Sequence, residues 1–255
     1  MEKAVKAATI RVVTFDLDDT LWAVRPVLLK AEDSVFDWLD AFAPKLTERF
    51  TVQSFMKWRW GIYANYPELS HQISQLRTIT VRMALEESGY SPYQAKTLAD
   101  QAFEVFIEAR HQISPFDTAI PMLETLQQHY TLGVLTNGNA DIFRLDMGQY
   151  FAFSFTAEQL NASKPLPEPF IAAQQHTNVD AGEIVHIGDS IDHDVIGALD
   201  AGLHAIWFNP EGKAIPEDTL ASQPARFYQV QCLSEIPAVI DVINSTLTGS
   251  NPARL

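Results

Sequence analysis

The sequence predicts an α/β fold: a Rossmann-like, mostly parallel sheet with an all-helical segment inserted behind its first strand. Short β-branched or apolar runs alternate with helical patterns, the order that builds βαβ units. Several of those runs end in polar or acidic residues. Between Leu21 and about Ile113 the strand signals vanish and helical periodicity takes over.

The first strand is read over Ile10–Thr14, a β-branched run leading into Phe15-Asp16-Leu17-Asp18-Asp19-Thr20. This puts carboxylates at the C-terminal tip of a strand, where open α/β sheets place their ligands. Three further strands are expected. Thr131–Leu135 runs into Thr136-Asn137-Gly138-Asn139, Glu183–Ile187 into Gly188-Asp189-Ser190, and His204–Phe208 into Asn209-Pro210. Helices are expected over about Ala119–His129, Pro169–His176 and Val195–Ala201, the last closed by Gly202. A final helix spans Ser234–Leu247, ahead of a frayed Gly249-Ser250-Asn251-Pro252.

In the inserted segment, Val27, Leu28, Ala31, Val35, Trp38, Leu39 and Phe42 follow the i, i+3, i+4, i+7 rule across Pro26–Phe42. His71–Ser88 repeats the pattern and stops at Gly89. Ser91-Pro92 supplies an N-cap and a first-turn proline for a helix running to about Gln112. The expected division is a catalytic core over 1–22 and 113–255 and a helical cap over 23–112.

At 255 residues the chain can bury one large core or a core with an insertion. A formal charge of −14 argues against nucleic acid or an anionic membrane as main partner, while leaving room for a small phosphate at a local basic spot. Cys232 is the only cysteine, so no intrachain disulfide can form. Lys3, Lys6 and Arg11 break up the apolar character of the N-terminal stretch, which does not read as a signal peptide. No apolar run approaches the roughly 18 residues of a membrane span. A cytoplasmic protein, monomer or homodimer, is the expectation.

Asp16 and Asp18 stand two residues apart, so an extended backbone aims both to one side. Crowded carboxylates repel unless a cation or a shared proton compensates. The pattern suggests a metal-dependent site with one carboxylate as nucleophile and another as acid/base. Four segments then read together: Asp16-Leu17-Asp18-Asp19-Thr20, Leu135-Thr136-Asn137, Ser163-Lys164-Pro165-Leu166-Pro167-Glu168-Pro169-Phe170, and Gly188-Asp189-Ser190-Ile191-Asp192-His193-Asp194. In this order, each placed at a strand end or in a nearby loop, they resemble the four signature motifs of the haloacid dehalogenase-like (HAD) superfamily. The resemblance covers nearly the whole core.

The resemblance implies a helical-capped (C1) phosphatase. Asp16 would attack phosphorus to form an aspartyl-phosphate, and Asp18 would serve as acid and then base. Mg²⁺ would be held by Asp16, Asp189 and the Asp18 backbone carbonyl. Thr136, the Asn137 amide and Lys164 would hold the phosphoryl oxygens, and Asp194 would orient Lys164 or a metal-bound water. Dehalogenases of this fold lack the second aspartate and need no metal, so Asp18 argues against that chemistry; a phosphomutase shares both aspartates. The closer likeness, carried by Phe15–Leu21, Arg25-Pro26-Val27, Thr136–Ala140, Ala205-Ile206-Trp207 and Pro210, is to a bacterial branch. That branch includes the phosphatase of 5-amino-6-(5-phospho-D-ribitylamino)uracil in riboflavin biosynthesis. The implied partner is a small phosphorylated metabolite, and Arg25 is the expected substrate contact beside the first motif.

Other residues have plainer readings. Asp19 reads as outward-facing, Asp192 and His193 as the solvated first turn of a helix, and Cys232 as buried and apolar. Asp189 suits a helix N-cap as well as a ligand. Trp58, Arg59, Trp60, Tyr63, Tyr66 and His71 read more readily as helix core than as a base-stacking pocket, and Arg77 and Arg82 as solvated helix charges.

Overall fold

The computed structural model describes residues 9–215 and 224–249, so the N-terminal lysines and the tail from Ser250 read above lie outside it. The chain forms two compact units. One takes in the chain to Trp22, Pro115–Asn137 and the stretch from Ile142 onward; the other comprises Ala23–Ser114 with Gly138–Asp141.

The first unit is built on a six-stranded parallel sheet. Its strands are β1 (Val12–Phe15), β2 (Thr131–Thr136), β3 (Phe153–Thr156), β4 (Ile184–Gly188), β5 (His204–Phe208) and β6 (Phe227–Val230), in the order β3-β2-β1-β4-β5-β6. Every residue of β1, β4 and β5 is buried, as befits parallel strands covered on both faces. Edge strands β3 and β6 escape the sequence reading. Each has four residues and is only partly buried, too short to show a period.

The second unit is all helix: α1 (Val24–Phe42), α2 (Pro44–Thr47), α3 (Val52–Tyr63), α4 (Ile73–Glu87) and α5 (Pro92–Arg110). Its core gathers Leu39, Leu46, Phe55, Val81, Leu85 and Phe106 with a set of buried alanines. Ser91 caps α5 in a reciprocal pair with Gln94, and Pro92 sits in the first turn. The sequence reading leaves out α3. Its capping pair is Thr51 with Ser54, a weaker signal than a Glu or Gln at that place. Trp58 stacks on Phe55 in the core, whereas Trp60 is 63% exposed. Arg82 faces Glu86 on the surface, but Arg77 is buried against Glu32, which also takes Arg59. The expectation of a solvated Arg77 is thereby overturned, because Glu32 of α1 supplies the charge that lets it enter the core.

The sheet is flanked by α6 (Ala119–Leu126), α7 (Ala157–Leu160), α8 (Glu168–Thr177), α9 (Gly197–Asp200) and α10 (Ile236–Leu247). The expected helix over Val195–Ala201 is in fact a π turn, Ile191–Ile196, running into α9, and Gly202 closes it with φ +84°. Cys232 is half-buried rather than buried, with its sulfur 3.0 Å from the Ser234 hydroxyl and 3.7 Å from that of Thr118. Among the described residues no helix is long and apolar enough to cross a membrane.

Candidate active site

β1 lies between β2 and β4, so their C-terminal tips meet, and the Asp16 amide extends the ladder to Ile187 O at 2.9 Å. Beyond Asp16 the chain folds into a tight loop. Leu21 N–H returns to Leu17 O, Asp19 N–H bonds to Trp22 O, and Asp19 takes φ +59° with its side chain exposed. The fully buried Trp22 donates its indole N–H to Asp18 Oδ1 at 3.0 Å. One indole thus fixes the second aspartate of the first motif.

Lys164 enters from the loop between α7 and α8. The Asn137 side chain grips its backbone from both sides, accepting from Lys164 N–H at 2.8 Å and donating to Lys164 O at 2.9 Å. One N–H and the oxygen of that side-chain amide are thus used on the loop. Gly197 lets the loop settle, since a Cβ there would come within 2.9 Å of Pro165 Cα and 2.8 Å of the Phe170 ring. The Lys164 ammonium, 2% exposed, donates to Asp16 Oδ1 at 2.8 Å and to Asp194 Oδ1 at 2.6 Å. Asp194 also accepts from His186 Nε2 at 3.1 Å and, on Oδ2, from Ser190 N–H at 3.0 Å. Its carboxyl lies where a side chain on Gly188 would sit. Ser190, rather than Asp189, caps the π turn through its hydroxyl.

Carboxylate oxygens of Asp16, Asp189 and Asp194 all lie within 4.8 Å of one another. Burial pushes the Asp16 carboxyl up to about 8; Lys164 works against this, and Asp194 and Asp18 add to it. Burial, with the charges of Asp194 and Asp19, lifts Asp189 to about 6. Burial opposes the Asp194 charge as well, yet Lys164 and His186 hold that carboxyl well below the usual range. Lys164 keeps its proton against burial because two carboxylates flank it. The cluster has more negative charge than Lys164 balances.

A family model described as haloacid dehalogenase-like hydrolase matches residues 10–202. The chain belongs to the haloacid dehalogenase-like hydrolase family. It is 32% identical over 202 residues to the 5-amino-6-(5-phospho-D-ribitylamino)uracil phosphatase YigB of Escherichia coli, covering 79% of this chain and 84% of that one. A crystal structure titled 2-haloacid dehalogenase, from Pseudomonas syringae, is 42% identical with a TM-score of 0.83, covering 92% of this chain and 99% of that one. The HAD-hydrolase YfnB of Bacillus subtilis, solved bound to magnesium, shares the fold at 20% identity and a TM-score of 0.64, over 91% and 99% of the two chains.

In this HAD hydrolase a cavity of about 170 Å³ is lined by Asp16, Asn137, Lys164, Asp189, Ser190, His193 and Asp194. His193, read from sequence as a solvated helix turn, is exposed but lines this cavity. Thr136 is buried at the end of β2, and neither it nor Asp18 is in the lining. Arg25 lies exposed in the first turn of α1, in the helical unit. In the sequence Trp22 draws notice only for standing beside the first motif, not as the partner of Asp18, and His186 is passed over as the partner of Asp194. Trp22 offered a weak signal by standing four residues after Asp18; His186 had none, since it reads as one more residue of a buried strand.

The donor set suits a hard divalent cation. Asp16 has its second oxygen clear of hydrogen bonds among the described residues, and Asp189 Oδ1 is held by the Thr20 hydroxyl at 3.3 Å. Asp194, with three donors on its two oxygens, is already committed.

Proposed function

We propose that this HAD hydrolase is a magnesium-dependent phosphomonoesterase acting on a small phosphorylated metabolite through an aspartyl-phosphate on Asp16. One observation carries the reading: Asp16 is gripped by Lys164 and faces Asp189 across less than 5 Å, while a second aspartate two residues on is fixed by Trp22. Mg²⁺ would be held by Asp16, Asp189 and the Asp18 carbonyl, and would supply charge neutralisation at the phosphoryl oxygens.

Asp16 attacks phosphorus as the bond to the leaving alkoxide breaks, and Asp18 gives that alkoxide its proton. Asp18 then takes a proton from water, whose oxygen attacks phosphorus and returns Asp16 as free carboxylate. Lys164 and the Thr136 hydroxyl hold the equatorial oxygens, where charge resides in the transition state. Asn137 contributes by fixing the backbone of Lys164. The helical unit is the cap, and Arg25 its substrate contact. Similarity to YigB makes 5-amino-6-(5-phospho-D-ribitylamino)uracil the first substrate to try, with flavin mononucleotide, other nucleotides and sugar phosphates behind it. A chain with a single cysteine has no need of an oxidising compartment, and the cytoplasm is the expected setting.

The neighbour titled 2-haloacid dehalogenase makes halide displacement the competing reading. A halide leaves as a stable anion and needs no proton, so that chemistry has no use for Asp18 as an acid. Alkoxide departure needs that proton. The test is a screen of the purified protein against phosphorylated metabolites and 2-haloacids, with and without Mg²⁺. Phosphate release that depends on Mg²⁺ and falls at least about 10³-fold in Asp16→Asn is expected. Halide release without phosphate release, or full phosphatase turnover in Asp16→Asn, overturns the reading.

A further inference from the structure

Thr14 and His186 are register partners on adjacent strands β1 and β4, both fully buried in the sheet. The Thr14 hydroxyl lies 2.9 Å from His186 Nδ1, and His186 Nε2 lies 3.1 Å from Asp194 Oδ1. The same Asp194 oxygen takes the Lys164 ammonium, which also bonds to Asp16. Hydrogen bonds therefore run Thr14–His186–Asp194–Lys164–Asp16, leaving β1 at Thr14 and ending on the residue just past its tip. The His186 and Phe170 rings meet in a T-shaped pair, with centroids 5.4 Å apart and an interplanar angle of 82°. Phe170 stands in the segment that delivers Lys164.

An ionised carboxylate can only accept, so the proton between His186 and Asp194 sits on Nε2. Nδ1 is then an acceptor, and the Thr14 hydroxyl donates to it in preference to Val185 O, which is 3.5 Å away. Burial disfavours the charged imidazolium, in keeping with a neutral ring. The direction of every hydrogen bond in the chain is fixed.

We propose that His186 is a positioning residue for catalysis: held by Thr14 and Phe170, it fixes Asp194 so that Lys164 presents its remaining N–H to the phosphoryl group. Lys164 has three donors and spends two on Asp16 and Asp194. The orientation of the third follows from where those carboxylates sit. Residues that support a catalytic group through one hydrogen bond commonly cost 10- to 100-fold when removed. This inference rests on the phosphatase reading for its kinetics and on the fold alone for its hydrogen bonds.

Two variants separate positioning from packing. In His186→Gln the amide nitrogen reaches the place of Nε2 and still donates to Asp194. In His186→Asn the amide reaches only the place of Nδ1 and leaves Asp194 a donor short. Expected is a kcat for His186→Asn about 10- to 100-fold below wild type, with KM moved less than about threefold, and a kcat for His186→Gln within about threefold of wild type. Thermal unfolding of each variant reports on folding. Equal kcat in the two variants, or wild-type turnover in His186→Asn, overturns the proposal. The ring itself is read separately, from histidine side-chain ¹⁵N NMR of the wild-type protein. A neutral ring protonated at Nε2, whose Nδ1 signal moves in Thr14→Val, is expected, and a ring protonated at Nδ1 overturns the relay. If no phosphoester is cleaved, the function reading falls and the spectrum alone decides the relay.

Discussion

Trp22, itself fully buried, gives Asp18 a hydrogen bond of known direction, an indole N–H at 3.0 Å from Oδ1. A hydrogen bond to a charged group contributes about 1.5–3 kcal/mol net and fixes its orientation. Asp18 must be reprotonated and deprotonated within one turnover, so its orientation sets both half-reactions. Trp22→Phe keeps the ring's bulk and removes the donor. The expected result is a kcat about tenfold lower with KM little changed, read in the phosphatase assay, and unfolding within about 1–2 kcal/mol of wild type by urea titration. Asp16, Asp189, Lys164 and Asp194 were legible in the sequence because each stands in a short motif beside a strand end. Their supports were not. A His and a Thr that serve through a contact across strands, and a Trp that folds back on its own loop, look in one dimension like ordinary core residues. Asn137 shows the same limit from the other side. Its motif was visible, but its task of clamping the Lys164 backbone depends on a loop 27 residues away.

At the scale of elements, the buried charges of the helical unit tie four helices together. Glu32 of α1 takes Arg59 of α3 and Arg77 of α4, and Arg77 lies 3.5 Å over the Phe106 ring of α5. Two guanidiniums share one carboxylate, and among the described residues both arginine Nε atoms lack a hydrogen-bond partner. Removing the shared anion leaves like charges facing each other out of water, a change that costs about 3–5 kcal/mol in comparable buried pairs. Glu32→Gln is expected to unfold the helical unit earlier by that amount in urea, followed by the fluorescence of its tryptophans. A loss under about 1 kcal/mol would mean the arginines find water or another anion. Sequence periodicity found α1, α4 and α5, where apolar stripes run over fifteen residues or more. It missed α2, four residues long, and α3, whose apolar face is interrupted by the very arginine that Glu32 neutralises. In the sheet, the runs that became β1, β2, β4 and β5 were continuous enough to read, while β3 and β6 took their form from pairing with a neighbour rather than from composition.

Over the whole molecule, two sets of buried groups make stability depend on pH in opposite directions. Asp16 and Asp189 have raised carboxyl values, so the folded chain without a cation holds protons that the unfolded chain releases, and stability is lost as pH rises from about 4 toward 8. His204 works the other way. It is 4% exposed at the start of β5, and burial followed by the Arg226 charge lowers it to about 4. Among the described residues neither ring nitrogen makes a well-formed hydrogen bond, and the Gly182 backbone offsets the burial only in part. Between about pH 6.5 and 4 the unfolded chain binds a proton at this ring that the folded chain refuses. Its neutral burial is therefore fully tolerated above 6.5, and stability falls as pH drops toward 4. The interval from 6.5 to about 4, at about 1.4 kcal/mol per pH unit, amounts to on the order of 3 kcal/mol. His204→Leu removes that dependence and leaves the carboxyl effect untouched, because the ring is not part of the cavity lining. Thermal unfolding scans at pH 7 and pH 4.5 are expected to show wild type losing at least about 5 °C more than the variant between the two, with Mg²⁺ held constant. Parallel losses in the two proteins would mean that the ring takes up its proton without cost, and that acid lability originates elsewhere in the sheet.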